Sequence, residues 1–204
     1  VVLGTEPILN ADQVNVDATM GAYLATRYLL ELGHRRIGLL GGPARISACR
    51  ARLAGHQKAL AEFGVAFETK YVAVGKMDEE SGAAAMTRLL SLVPDKLSAV
   101  YAINDAMAIG ALRALGQAGF RVPDDVSLIG CDDIPVVAQL QPALTTLWQP
   151  KRELGYLAAK LILRQIETRQ QHGDDWRDKY PFQSAMYMPR VVARDSTGPH
   201  HPRS

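Results

Sequence analysis

Apolar and polar positions alternate in blocks along this chain. Arg36-Ile37-Gly38-Leu39-Leu40 stops at Gly41-Gly42-Pro43, and Tyr71-Val72-Ala73-Val74 stops at Gly75. Ser98-Ala99-Val100-Tyr101-Ala102 runs up to Asn104-Asp105, and Val126-Ser127-Leu128-Ile129-Gly130 runs up to Cys131-Asp132-Asp133. Short, continuous apolar runs followed by polar or glycine turns suit strands of a parallel sheet covered on both faces. Between them the period changes to that of a helix. Ala25, Tyr28, Leu29 and Leu32 form an i, i+3, i+4, i+7 stripe over 18–32, with Asp17 placed to cap its start and Gly33 to end it. Further helices are predicted near 48–63, 79–92 and 104–118, and Leu154, Leu157, Ala158 and Leu161 repeat the stripe near 150–170.

Strand–helix alternation of this kind predicts right-handed βαβ units and an α/β fold with a doubly wound, mostly parallel sheet. The units are complete from Asp17 to about Trp148. Outside that window only pieces are expected: an opening strand at Val1-Val2-Leu3 and β-like stretches at 182–188 and 191–192. A polar loop is expected over 172–179 and a disordered tail over 196–204. The chain opens without an initiator Met, as a fragment or a processed chain would.

The 204 residues fit one large domain or one and part of another. Apolar residues make up 48% and charged residues 22%, which excludes a mostly disordered chain. A formal net charge of +2 gives no basic field able to hold nucleic acid by charge alone. No apolar run reaches the roughly 18 residues of a membrane span, so no membrane partner is expected. Cys49 and Cys131 are too few for a disulfide framework and lack metal-ligand spacing, so both read as buried thiols. The first residues have neither the charged nor the long apolar region of a signal peptide, which makes the cytoplasm the expected location.

In open parallel sheets, ligands bind beyond the carboxyl ends of the strands. That rule selects Ser47, Arg50, Arg52, Lys76, Asp78, Asn104, Asp105, Asp132 and Asp133. Guanidinium forks, amides and carboxylates together match a sugar, whose vicinal hydroxyls both donate and accept. Helix capping by Asn104 or Asp105 and turn formation by Asp132 and Asp133 are the alternatives for those positions. Nucleophile elbows, zinc-binding helices, paired cysteines and Walker loops are all missing, so no catalytic residue, metal or cofactor is assigned. His34 and His56 have no partner at ligand spacing and read as packing or surface residues.

The 104–118 helix is apolar on two sides. Ala108, Ala111, Leu112 and Leu115 form one face, while Met107, Gly110, Ala114 and Ala118 form the other. The first face suits the helix's own sheet. The second face, with Ile134-Pro135-Val136-Val137 nearby, suggests a homodimer contact through Met107, Gly110, Ala114 and Val136.

Several motifs occur together in a characteristic order. Asp17-(x)3-Gly21-(x)3-Ala25 leads to Leu32-Gly33-His34-Arg35-Arg36-Ile37, followed by Gly41-Gly42-Pro43 and Arg52-Leu53-Ala54-Gly55. Asn104-Asp105-Ala106-Met107-Ala108-Ile109-Gly110 follows, then the run from Arg121-Val122-Pro123 into Asp132-Asp133, and last Leu144-Thr145-Thr146 with Gln149-Pro150. This set resembles the LacI/GalR family of bacterial transcriptional regulators over roughly 1–196. The resemblance implies a periplasmic-binding-protein-like (type I) effector module, with one complete subdomain and segments of a second. Residues 1–16 would be a fragment of the N-terminal subdomain and 17–148 the C-terminal, effector-binding subdomain. Residues 149–180 would return to the N-terminal subdomain, 181–195 would be the final strands, and the tail would follow.

By the same resemblance, Arg52 would fork onto effector hydroxyls, Asn104 would open a polar contact and Asp132 would accept from hydroxyls. Gln149 would close the site at the crossover, and Met77 would stand where some members place an aromatic wall. Ser47, at the same strand ends, completes the expected effector set. Gly4 stands where many members carry Asp, and Cys131 replaces a common aromatic, so the implied effector differs from a plain neutral hexoside. The partners implied are a sugar-like small molecule, a second copy of the chain, and operator DNA through an N-terminal helix-turn-helix missing from this sequence. The function implied is effector binding and dimerisation within a repressor, not enzymatic. A periplasmic sugar-binding protein of a transporter is the alternative, since it shares the fold.

Overall fold

The computed structural model describes residues 1–2, 10–93 and 97–200. The chain divides into two compact units, Val1–Asp17 with Gln149–Pro189, and Ala18–Trp148 with Arg190–Ser204.

The larger unit is built on a four-stranded sheet of β2 (Ile37–Gly41), β3 (Val72–Val74), β4 (Ala99–Ala102) and β5 (Ser127–Ile129), in the order β3-β2-β4-β5. Every pair is parallel, with Leu39 opposite Val72 and Tyr101, and Tyr101 opposite Ile129. The four strands expected from the apolar runs are therefore parallel neighbours. All of β2 and β4 is buried, as continuous apolar strands in a two-faced sheet must be. A parallel bridge from Ile129 to Thr145 leads to β6 (Thr146–Trp148), which pairs antiparallel with β8 (Arg190–Val192).

Four helices cover this sheet: α1 (Ala18–Glu31), α2 (Ser47–Glu62), α3 (Glu79–Leu92) and α4 (Asp105–Gln117). Helix α1 packs on α2, and α3 packs on α4. The strand order reverses after β3, so right-handed connections send α2 and α3 to opposite faces. At both helix pairs a glycine permits contact at backbone distance. A Cβ on Gly55 would lie 2.0 Å from the Thr19 carbonyl, and one on Gly110 would lie 1.9 Å from the Glu79 carbonyl. Helix α1 ends as its sequence predicts. Gly33 adopts φ +92°, its N–H donates to Leu30 O, and the His34 N–H donates back to Leu29 O.

The second apolar face of α4 is not a dimer surface. Met107 is fully buried, Ala114 is buried, and Gly110 lies against the backbone of α3 in the same chain. A helix apolar on two sides here lies between its own sheet and a neighbouring helix. Of the four expected contacts, only Val136, 45% exposed on the 3-10 turn Pro135–Gln139, remains on the surface.

The tail also differs from expectation as far as it is described. Ser196 is fully buried; its hydroxyl donates to Leu128 O (2.6 Å) and accepts from the Thr145 N–H (2.8 Å). The Leu128 N–H donates to Ser196 O, Thr197 meets the Thr145 hydroxyl, and the His200 N–H reaches Leu32 O. Hydroxyl side chains make many of these bonds, so 196–200 shows no apolar pattern although it lies along β5. Residues 201–204 of the expected tail lie outside the described residues.

Both core histidines of this unit are held neutral. His34 is 2% exposed, with Nδ1 beside Ser98 Oγ and Nε2 beside Ser127 Oγ and Gly198 O. A carbonyl only accepts, so Nε2 carries the proton. His56 is 1% exposed and bonded through Nδ1 to the Thr26 hydroxyl. Burial lowers each to about 4 from 6.5. The unfolded chain therefore binds more protons than the folded one between those values, and stability must fall as pH drops from 6.5 towards 4. The expected loss approaches about 3 kcal/mol for each histidine, read by denaturant unfolding across that range. An unfolding free energy that stays flat from pH 6.5 to 4.5 would contradict it.

The smaller unit pairs β1 (Gln13–Val16) with β7 (Ser184–Tyr187) in parallel, packed by α5 (Lys151–His172) through Val14, Ala158 and Leu161. The expected opening strand is represented by a bridge from Val2 to Gln13, and Leu3 lies outside the described residues. Buried Asp12 accepts from the Tyr180 hydroxyl, Gln165 Nε2 (2.8 Å) and the Gln183 N–H (2.7 Å). Burial first, then the Asp12 carboxylate, push the Tyr180 phenol up to about 12. Residues 172–179 are not a loop. Gly173–Asp175 is a 3-10 turn and α6 (Trp176–Lys179) follows, because Trp176 packs edge-on to Tyr180 and Phe182. Among the described residues no helix is long and apolar enough to cross a membrane.

Candidate functional site

The order β3-β2-β4-β5 places a topological switch point between β2 and β4, where the connections leave for opposite faces. A crevice opens there beyond the strand ends. The residues brought to it come from four connections: those after β2, β3, β4 and β5.

From the first connection, Arg52 stands on α2. Its side chain is 12% exposed, and its Nη2 lies 3.9 Å from Asp132 Oδ1. That is an ion pair too long to be a hydrogen bond. Burial alone would lower the Arg52 guanidinium. The neighbouring Cys131, Tyr101, Asp132 and Cys49 more than offset it, and the group stays raised and charged. Ser47 is the first residue of α2, and the capping position Ile46 makes no side-chain bond. Arg50, exposed, donates to the Ala44 carbonyl and so holds the loop.

From the second connection comes Met77, at φ +76°. Its carbonyl accepts from Asn104 Nδ2 (2.8 Å), and its sulfur lies 3.7 Å from the Cys49 sulfur. Asp78 caps α3 by accepting from the Ser81 N–H. From the third comes Asn104, which caps α4 by accepting from the Met107 N–H (2.9 Å). Asn104 is thus a cap and a clamp on the Met77 loop at once, with two of its four hydrogen-bonding positions taken by the chain.

The fourth connection holds the two aspartates apart in role. Both have positive φ, +122° at Asp132 and +50° at Asp133. A left-handed pair of non-glycine residues is costly and persists only where surrounding bonds impose it. Those bonds are visible: the Asp132 N–H donates to Leu147 O, and Asp133 Oδ1 accepts from Arg194 Nη2 at 2.7 Å. Fully buried Asp105 adds two more, accepting from the Ile134 N–H (3.0 Å) and the Thr146 hydroxyl (2.6 Å). Asp133 and Asp105 are therefore structural, and they turn Asp132, with its side chain 32% exposed, towards Arg52.

The structure brings Arg52 together with Asp132, and Asn104 with Met77. Gln149 belongs to the other unit, where its carbonyl accepts from the Lys151 N–H. Gly4 lies outside the described residues. Tyr101, Cys49 and Cys131 were not selected by sequence as part of the site. All three are buried at its floor, and burial in an apolar strand hides Tyr101 from any pattern of exposed polar residues. A charged donor fork facing a carboxylate, over a floor of thiol and thioether groups, can accept from and donate to hydroxyls of one small ligand. No cluster of three metal-ligating side chains occurs among the described residues.

Helix pairs on both faces of a switch-point sheet, with a second unit built from Val1–Asp17 and Gln149–Pro189, are the architecture of a small-molecule-binding module. Residues 26–197 match the periplasmic binding protein-like domain, and the chain belongs to that family, in its LacI-type branch. The ribose operon repressor of Haemophilus influenzae is 34% identical over 188 residues, which cover 92% of this chain and 54% of that protein. The repressor CytR of Escherichia coli is 39% identical over 161 residues, covering 79% and 47%. A LacI family regulator from Enterococcus faecium with bound ribose superposes with a TM-score of 0.83 at 30% identity, over 96% of this chain and 69% of that one. The chain spans about half the length of the curated relatives it matches.

Proposed function

We propose that this chain is the effector-binding portion of a LacI-type DNA-binding transcriptional regulator, and that it takes a sugar or sugar derivative. The observation that carries this reading is the Arg52–Asp132 pair at the switch point, 3.9 Å apart and facing each other. A ligand hydroxyl inserted there accepts from the guanidinium and donates to the carboxylate. Ser47, Met77 and Asn104 border the same strand ends, and Gln149 is included in the proposed effector set. That the two relatives named above are repressors favours a regulator over an enzyme or a transporter's periplasmic binding protein. Operator contact is assigned to the half of such proteins that this chain does not cover. A homodimer in the cytoplasm completes the proposal, with Val136 as the one remaining candidate contact from the sequence reading.

The effector acts only through unequal affinity for two arrangements of the protein, so it can change operator affinity by at most that ratio. The test is operator binding by the full-length regulator with and without a panel of free sugars, D-ribose and cellobiose among them. A sugar that shifts operator affinity about fivefold or more is expected. Unchanged operator affinity with every sugar that binds would overturn the regulatory reading.

A further inference from the structure

Two buried polar groups at the switch point are short of partners. Tyr101 lies in β4 with no exposed surface, and its hydroxyl has no hydrogen-bond partner among the described residues. Arg52 sits on α2 three residues after buried Cys49 and four before buried His56, so the three share one face of the helix. The His56 ring is 6.4 Å from the Tyr101 ring, which fixes that face over Tyr101. Arg52, one turn nearer the helix start, then lies over the carboxyl end of β4. Burial holds the phenol protonated, and Cys131, Arg52, Asp132 and Cys49 are all near enough to act on it electrostatically.

Arg52 offers five N–H donors. Its one polar contact among the described residues is Asp132 at 3.9 Å, and its side chain is 12% exposed. A donor fork with one long ion pair and no hydrogen bond therefore lies near a phenol without a partner among the described residues. Phenylalanine would fill the same space in β4 without burying an unpaired hydroxyl, so the hydroxyl is a cost in the free protein. It becomes a gain if another state uses it.

We propose that the Tyr101 hydroxyl is a positioning group for Arg52 in the effector-bound state. When a ligand hydroxyl takes the Asp132 carboxylate, the guanidinium turns from Asp132. One N–H then donates to the phenol oxygen, and the remaining donors are held towards the ligand. This rests on the reading of Arg52 and Asp132 as effector contacts.

The test is calorimetric titration of D-ribose and of cellobiose into the full-length regulator and its variants. Tyr101→Phe should weaken sugar binding about tenfold or more, the usual weight of a hydrogen bond to a charged group. Its ligand-free melting temperature should equal or exceed that of the unmodified protein. In an Arg52→Lys background the same Tyr101→Phe change should alter affinity by less than about twofold, because an ammonium cannot span both partners. A merely structural tyrosine would show no such dependence on Arg52. Tyr101→Phe binding within about twofold of the unmodified protein overturns the inference. So does a fall in its ligand-free melting temperature, since the hydroxyl would then have a partner without ligand. Loss of binding in Arg52→Ala with full binding in Tyr101→Phe defeats this inference alone. Full binding in Arg52→Ala, or no binding of either sugar to the unmodified protein, defeats the underlying reading as well.

Discussion

Replacing Gly110 by alanine should lower the melting temperature by about 4–8 °C, corresponding to a loss of roughly 2 kcal/mol in a chain of this size. Helix propensity alone points the other way, since alanine in a helix interior is better than glycine by about 1 kcal/mol. Sterics decide the sign. The new Cβ would lie 1.9 Å from the Glu79 carbonyl oxygen and 2.8 Å from the Ala83 nitrogen, both backbone atoms that no side-chain rotation can move. The contact is reciprocal, because a Cβ on Gly82 of α3 would lie 2.5 Å from the Met107 Cα. Relief requires the two helices to separate, which opens the packing under Met107 as well. Gly116 on the same helix has nothing within 4 Å of its added Cβ, so Gly116→Ala should raise the melting temperature slightly. Paired thermal melts check this. Equal upward shifts at both positions would show that α3 and α4 do not touch as described. A change in sedimentation without a change in melting would return Gly110 to a subunit interface.

The Gly110 case also shows why the sequence misled there. An apolar second face states that the helix is covered on that side, and says nothing about which chain covers it. The four central strands were legible because each is buried on both faces and carries a turn signal at its end. β6 was not, because Thr146-Leu147-Trp148 is three residues long and paired only with the distant Arg190–Val192. The segment 172–179 looked like a loop because its polar residues outnumber Trp176, the side chain that packs it.

Within the site, the rule that ligands gather at strand carboxyl ends brought Arg52 and Asp132 into view from residue type and position. The family resemblance then separated Asp132 from Asp133. Sequence could not show why they differ: Asp133 is bound by Arg194, 61 residues further along the chain. Nor could it show that Asn104 serves as cap and loop clamp together, since the clamp depends on the Met77 carbonyl presented by a left-handed turn. Tyr101 lies within an apolar strand run, and only the lack of a partner for its hydroxyl among the described residues sets it apart from packing.

The second large effect concerns Arg52. Its guanidinium faces Asp132 within ion-pair distance, and it is largely removed from water. Arg52→Ala takes away a forked donor and leaves ligand acceptors unpaired in a partly dry site, which should cost about 1.5–3 kcal/mol, or roughly ten- to hundredfold in affinity. The fold should survive, because no element depends on a hydrogen bond from that side chain. Calorimetric titration of the responsive sugar into the full-length regulator and its Arg52→Ala variant, both folded by thermal melting, is the direct measurement. The account predicts one site per chain in the unmodified protein and binding weakened at least about tenfold in the variant; equal affinity in the two would contradict it.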